Sequence, residues 1–413
     1  MLSLLRYGAD STLEIDLDAG ALVAACQTPR GDVLSDPKAA TAAALAKPLD
    51  FPPLRQAVIP GDRVVLALDG AVPQGPVIVA AVVAAVIEAG VAPGDICILR
   101  AATDPSSADN LRLALQADCR DQIEILAHDP THRDRLSYLA ANPEGEAIYV
   151  NRRLFDADFV LPIGCVRSAS TPGYFGVNGT LYPTFSDTPT LDRFAATAID
   201  SDRDEITRRR HEADEVAWLL GVLLTIQVVP AAGDGVLHVV AGNAESVERR
   251  GGELCRMAWE FDVPRRAELV IAAIEGGDEQ QTWENLGRAL AAASRAVADD
   301  GAIALCTDLS SPPGPALQWI GRARDLPGAL RHIRKEHSPD AAAAHELAAA
   351  LQRGRVYLLS RLDESVVEEL GMAPVATAAD IGRLAKRHAT CILLGNAQYA
   401  QPMPVEETAE QLR

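Results

Sequence analysis

Residues 145 to 189 read GEAIYVNRRLFDADFVLPIGCVRSASTPGYFGVNGTLYPTFSDTP, a strand-like run that passes directly into a long loop. Phe159, Val160, Leu161 and Ile163 form an apolar segment of strand length, and Asp156 and Asp158 mark the turn that leads into it. The loop opens at Gly164 and extends to Thr190, with Gly173, Gly176 and Gly179 and the prolines Pro172, Pro183 and Pro189. A loop of that length inside a compact protein is either functional or disordered. Tyr174, Phe175, Leu181, Tyr182 and Phe185 decide for order, because aromatic side chains at that density are packed.

Upstream, the chain alternates strand, turn and helix. RVVLALD (63–69) is followed by a turn at Gly70 to Gly75, by the helical run PVIVAAVVAAVIEAG with Gly90 as its stop signal, and by the strand DICILRA (95–101). A short helix at Asn110 to Gln116 and a strand IEILAH (123–128) continue the rhythm. Strands that are apolar on both faces, separated by helices, predict a parallel sheet covered on both sides. Ligands of such sheets bind beyond the carboxyl ends of the strands, which is where Asp69, Thr103, Asp104 and the loop after Gly164 fall. Before this region, a hairpin or strand is expected around Thr12 to Ile15 and a helix over Ala39 to Ala46.

Downstream, HEADEVAWLLG predicts a helix opening at His211, and LLTIQVV (223–229) and GVLHVVAG (235–242) an antiparallel pair turning at Ala231 to Asp234, with His238 a structural residue inside it. Residues 244 to 262 read as a helix. Pro264 then marks the passage to a second α/β unit, with ELVIAAIEGG, AIALCTD, RVYLLS and TCILLGN as its strands and TWENLGRALAAASRAV as its first helix. The tail after Pro402 is acidic and expected to fray. Two domains follow, residues 1–262 with the glycine-rich loop 164–190 and residues 263–413, each a mainly parallel sheet flanked by helices.

Composition narrows the partners. The 413 residues carry 38 Lys and Arg against 57 Asp and Glu, a formal charge of −19 that repels nucleic acid and anionic lipid. A small-molecule ligand is the expected partner. Val77 to Ile87 is the longest apolar run, about half of what a membrane-spanning helix needs. The opening MLSLLRYGAD lacks a basic segment followed by a long apolar stretch and a cleavage site, so cytoplasmic residence is expected. Seven scattered cysteines with no C-x-x-C pair suit a reducing compartment, and Cys97, Cys165, Cys306 and Cys391 lie in apolar runs where a thiol serves as a small buried hydrophobe. A Walker loop, G-x-S-x-G, H-E-x-x-H and a strand-linked G-x-G-x-x-G are all absent from the sequence.

The order of strand, Ile163-Gly164, GYFGVNG (173–179) and Tyr182-Pro183 resembles the corresponding loop of the nickel-dependent lactate racemase family. GDRVVLALDG (61–70), EAIYVNRRLFDADFVLPIG (146–164) and HEADEVAWLLGVLLTIQVV (211–229) fit the same family, so the likeness covers most of residues 60 to 245. The resemblance implies two domains around a cleft and a nickel pincer nucleotide tethered to a lysine of the loop. It also implies a nickel-binding histidine, and two further histidines that move the proton of a 2-hydroxy acid. By that likeness Asp69 is the aspartate ending the first core strand and His211 the metal ligand.

The chain departs from the family elsewhere. The tethering lysine falls on Gly179, and no lysine occurs between Asp50 and Arg250, so covalent attachment of the cofactor is not expected. D-x-T-R-P reads D-G-A-V-P, which puts Val72 where the substrate arginine would stand. A-A-T-D-P-S-S (101–107) holds no equivalent of the family's H-R-P, and the histidine ahead of the loop falls near Ala169. In the second domain a Y-Q-A-V-K-like helix start is replaced by T-W-E-N-L-G-R (282–288), in which Arg288 is the nearest cation.

The cleft candidates are therefore Asp69, Thr103, Arg167, Tyr174, Asn178, Trp283, Glu284 and Arg288, with His211 as the metal candidate and no catalytic residue assigned. Arg167, just past Gly164, is either an anion clamp or a surface ion-pair partner. The glycine-rich loop is either a cofactor cradle or a structural turn. Two functional readings stay open: an enzyme of the racemase superfamily with altered chemistry, and a catalytically silent relative that binds a small ligand or a protein partner.

Overall fold

The structure, a computed structural model, describes residues 2–18, 20–70, 72–102, 108–200, 203–323, 325–326, 328–330, 333, 338 and 340–405. In chain order the strands are β1 (Leu2–Tyr7), β2 (Ser11–Asp16), β3 (Leu22–Cys26), β4 (Val64–Leu68), β5 (Ile96–Arg100), β6 (Glu124–Ala127), β7 (Leu136–Ala141), β8 (Ala147–Asn151) and β9 (Phe159–Cys165). They continue with β10 (Thr225–Pro230), β11 (Val236–Gly242), β12 (Glu260–Val263), β13 (Ala267–Ala273), β14 (Val297–Cys306), β15 (Arg355–Leu359), β16 (Ala373–Pro374), β17 (Cys391–Leu394) and β18 (Gln401–Pro404).

Two six-stranded sheets organise the molecule, β11-β10-β9-β4-β5-β6 and β16-β15-β14-β13-β17-β3. In the first, β10, β9, β4, β5 and β6 are parallel and β11 pairs antiparallel with β10. All pairings of the second are parallel. The sequence explains this burial: all five residues of β4 and all seven of β9 are buried, as strands covered on both faces require. The helix Gly75–Glu88 sends Ile78, Val79, Val82, Val83 and Val86 into the core beside them. A mixed α/β fold with mainly parallel sheets flanked by helices is thus observed.

Sheet membership does not follow chain order. β3, within the stretch assigned from sequence to the first domain, hydrogen-bonds in parallel to β17 of the second sheet. The β1–β2 hairpin packs Leu5, Leu13 and Ile15 against Leu269, Ile271 and Leu393 of that same sheet. An edge strand satisfies its backbone wherever a free sheet edge is offered, and sequence distance does not enter.

Other departures are local. The helix expected over 244–262 ends at Trp259, and the next four residues form β12, paired in parallel with β18. The start of the tail thus lies in a ladder rather than fraying, while residues 406–413 lie outside the description. The hairpin β7–β8, which the sequence did not announce, is antiparallel with a register shift after Tyr138. All seven cysteines are buried free thiols, and no helix among the described residues is long and apolar enough to cross a membrane.

Candidate functional site

In an open α/β sheet the crevice for a ligand lies where consecutive strands turn to opposite sides. The first sheet runs β4, β5, β6 to one side and β9, β10, β11 to the other, so its reversal lies between the ends of β4 and β9. Asp69 follows β4 and Arg167 follows β9. The second sheet reverses between β13 and β17, whose ends lead into Glu275–Gly277 and Asn396–Tyr399.

These two reversals face each other and are stitched together. Gly233 N donates to Asn396 Oδ1 (2.7 Å), Gly277 N to Asp234 Oδ2 (2.8 Å) and Gln74 Nε2 to the Asp234 carbonyl (3.2 Å). The turn between β10 and β11 therefore plugs the carboxyl edge of the second sheet and fixes the two crevices opposite one another.

At this junction two guanidinium groups are taken out of water. Arg167 is 7% exposed and Arg288 9%. Arg167 lies over the Tyr399 ring, 5.3 Å from its centroid, and its Nη1 is buried with no hydrogen-bond partner. Arg288, from the helix Trp283–Ala296, donates through Nη1 to Asn285 Oδ1 (3.0 Å) and through Nη2 to Glu284, while its Nε is buried and unpartnered. Burial, and next the charge of Arg167, lower the proton affinity of Arg288, with Glu284 opposing.

The acidic partner of this pair is incomplete. Burial pushes the Asp69 carboxyl up to about 7; the Gly70 N–H opposes this, Glu284 adds to it, and Arg167 and Arg288 oppose it. Two buried cations thus share a junction in which burial weakens the nearest buried carboxylate as a counter-charge. Cys165 belongs to the same cluster: burial raises its thiol, and Arg167 and Arg288 act against that rise. It stays a thiol, not a nucleophile.

The glycine-rich loop forms the next wall. Gly164 sits so close to Thr180 that a Cβ there would lie 2.2 Å from Thr180 Oγ1, and Gly176 takes φ +83°, where a Cβ would lie 3.3 Å from Glu248 Oε1. Tyr174 Oη is buried beside the Arg167 backbone without reaching hydrogen-bond geometry. Asn178 donates to Asp214 Oδ1 (2.8 Å) from the helix Arg203–Leu219. Beneath the loop, Phe194 meets Phe175 and Tyr182 edge-on, with centroids 4.9 and 5.3 Å away. Tyr182 Oη donates to buried Glu212 Oε1 (3.0 Å), which also receives Arg193, while Glu212 Oε2 accepts Arg209 Nη1 (2.8 Å).

Several sequence candidates are placed differently. The 203–219 helix starts at least two turns before His211, which is exposed in mid-helix, so Glu212 and Asp214 are not first-turn residues; Asp204 and Glu205 are. The charged run RDEITRRRHEADE reads by composition as a solvated face, yet its Glu212 turns inward and is buried. Trp283 faces away from the cleft, donating its indole N–H to the carbonyls of Ser311 and Pro312, 3.0 Å each. Thr103 lies outside the described residues. Among the described residues no group of three or more His, Cys, Asp or Glu is arranged to hold a metal.

The structure also adds residues. Tyr399 and Gln398 follow TCILLGN at the carboxyl end of β17, so the strand-end rule that selected Asp69 would have found them. His128, at the end of β6, accepts from Asn151 Nδ2 at Nδ1 (3.0 Å) and donates from Nε2 to the Ser186 carbonyl (2.7 Å), which leaves neither nitrogen free for chemistry.

Comparison with known proteins points to one family. The pattern described as the lactate racemase N-terminal domain matches residues 7–206. Over that stretch this chain is similar to the lactate racemase N-terminal domain. Its whole fold is similar to that of the lactate racemase apoprotein from Thermoanaerobacterium thermosaccharolyticum, with a TM-score of 0.81 at 16% identity, covering 98% of this chain and 100% of that one. A Thermotoga maritima protein of known structure is similar at a TM-score of 0.66 and 15% identity, covering 91% and 99% of the two chains. No curated protein matches the sequence. The lactate racemase-like chain thus has its two buried arginines on the two sides of the junction, one on the family-matched part and one beyond it.

Proposed function

We propose that this lactate racemase-like chain binds a small organic anion, a 2-hydroxy acid or a close relative, between Arg167 and Arg288, and does not racemise lactate by the family's route. One observation carries the reading: two buried guanidinium groups face a common junction with N–H groups left unpaired, while burial pushes the neighbouring Asp69 carboxyl up to about 7. Burying like charges without compensation is costly, and a bound carboxylate supplies the missing charge and acceptors together.

The family's cofactor does not fit the residues present. A Cβ at Gly179 would meet only the Phe175 Cβ at 3.5 Å, so the backbone has room for a lysine that the chain does not supply. His211 is exposed and, among the described residues, belongs to no cluster of metal-ligating groups. The second reading, a silent relative, is favoured by the same absence of tether and proton-transfer groups, and differs only in whether the bound anion reacts.

Calorimetric titration with L-lactate, D-lactate and malate is expected to show saturable binding of at least one of them. Arg288→Gln should weaken it about 30-fold or more, since truncating one partner of a buried charge pair costs about 2 kcal/mol at least. Absence of binding by every acid tried, or equal affinity in the variant, would overturn the proposal.

Gly179→Lys, coexpressed with the enzymes that make the nickel nucleotide, is expected to fold normally and to yield no D-lactate from L-lactate above background. Position 169 remains alanine, and a missing acid–base group costs a factor of about 10²–10⁴. A chiral lactate assay checks this; sustained turnover would refute it.

A further inference from the structure

The seam beside Arg167 is closed in this structure. Arg167, Ser168 and Thr171 from the glycine-rich loop meet Gln398 and Tyr399 from the second sheet, and the space between them does not admit a water-sized sphere. A ligand that reaches Arg167 from this side must part these surfaces.

The principal contact between them is made by Arg295, in the last turn of the helix Trp283–Ala296. Its Nη2 donates to the Ser170 carbonyl (2.9 Å) and its Nη1 to Ser170 Oγ (3.1 Å) and to Gln401 Oε1 on β18. Ser170 Oγ donates to the same Gln401 oxygen (3.1 Å), which closes a three-residue knot between the loop and the second unit. From the other side the loop is held by Arg210 Nη2, donating to the Ala169 carbonyl (3.1 Å). Within the loop, Thr171 N donates to the Ser168 carbonyl (2.9 Å) and Tyr174 N to the Thr171 carbonyl (3.2 Å), so residues 168–174 are tied to one another.

Arg295 is itself electrostatically supported. Glu346, on the helix Ala341–Arg353, is the charge that acts on it, and burial pushes that carboxyl up to about 7. A half-buried guanidinium with a partly ionised partner is held mainly by its hydrogen bonds to Ser170 and Gln401. Those bonds are charge-assisted and geometrically specific, and they are lost together if the loop lifts.

We propose that Arg295 is a positioning residue and latch: its contact with Ser170 and Gln401 pins residues 168–174 against the second unit beside Arg167, and access to Arg167 from this side requires that contact to open. The latch is a property of the unliganded chain. Only its consequence for ligand entry rests on the anion-binding reading above, so it is tested first without ligand.

Amide hydrogen exchange of the full chain supplies the test, comparing wild type with Arg295→Ala, Arg295→Lys and the milder Ser170→Ala, which removes only the hydroxyl contacts. Arg295→Ala is expected to speed exchange across 168–176 at least tenfold while β13 and β14 stay protected. Ser170→Ala should give a smaller rise in the same peptides, and Arg295→Lys should restore most of the protection. Unchanged exchange in 168–176 for both Arg295→Ala and Ser170→Ala would overturn the latch. So would a rise spread equally over the sheets, which would mark Arg295 as a general stability residue. If Arg295→Ala fails to fold, Ser170→Ala decides alone, by the same loop-specific rise or its absence.

Discussion

Glu212→Ala is expected to lower the unfolding free energy by about 3 kcal/mol, the low end of what breaking a buried ion pair costs. Glu212 is 7% exposed and takes hydrogen bonds from Arg193, Arg209 and Tyr182, and the two guanidinium groups are themselves mostly buried. Removing it leaves both cations short of a counter-charge in a low-dielectric setting and leaves the Tyr182 hydroxyl without its acceptor. The loss is held near the low end because Arg193 keeps Glu146 and Arg209 keeps Glu205. Glu212→Gln, which preserves volume and one acceptor, should lose less. Urea unfolding followed by far-ultraviolet circular dichroism checks both, and a Glu212→Ala loss under 1 kcal/mol would show that the network beneath the loop is not cooperative.

Anion affinity is expected to fall with rising pH above 7, approaching tenfold per pH unit and reaching about fiftyfold between pH 7 and 9, through Asp69. The folded carboxyl, raised to about 7 by burial, holds its proton more tightly than an unfolded aspartate does. Below pH 7 it is neutral, and Arg167 and Arg288 are open to an external carboxylate. Above pH 7 it ionises, competes for both guanidinium groups, and must take up a proton each time an anion binds. The same sign governs folding: stability from this group is greatest below the unfolded aspartate value, falls as pH rises to about 7, and is level beyond. Titration calorimetry of L-lactate at a series of pH values, with Asp69→Asn as the flat control, measures the effect. A wild-type profile as flat as that of Asp69→Asn would remove Asp69 from the anion site.

The sequence alone determined the secondary structure around the site and its family likeness. The apolar runs of β4, β5 and β9 and the apolar run 77–87 of the helix 75–88 are short-range patterns, and strands apolar on both faces with helices between them point to a parallel sheet. The rule that ligands sit beyond strand ends then selected Asp69 and Arg167 with no coordinates at all.

What the tertiary structure decided is which of those ends meet. Arg167 and Arg288 are far apart in the chain, and only the docking of the 231–235 turn against Asn396 and Gly277 sets their crevices face to face. Helix phase decided the rest. Glu284 and Arg288 are four residues apart and share one side of the 283–296 helix, so they reach the junction together, while Trp283, one residue earlier and 100° around, turns into the second core. Likewise β3 joined a sheet built from residues beyond 260, and Glu212 turned inward from a run of charges that reads as solvated. Local periodicity fixes which face of an element is apolar; the direction each side chain finally takes depends on what the rest of the chain packs against that face.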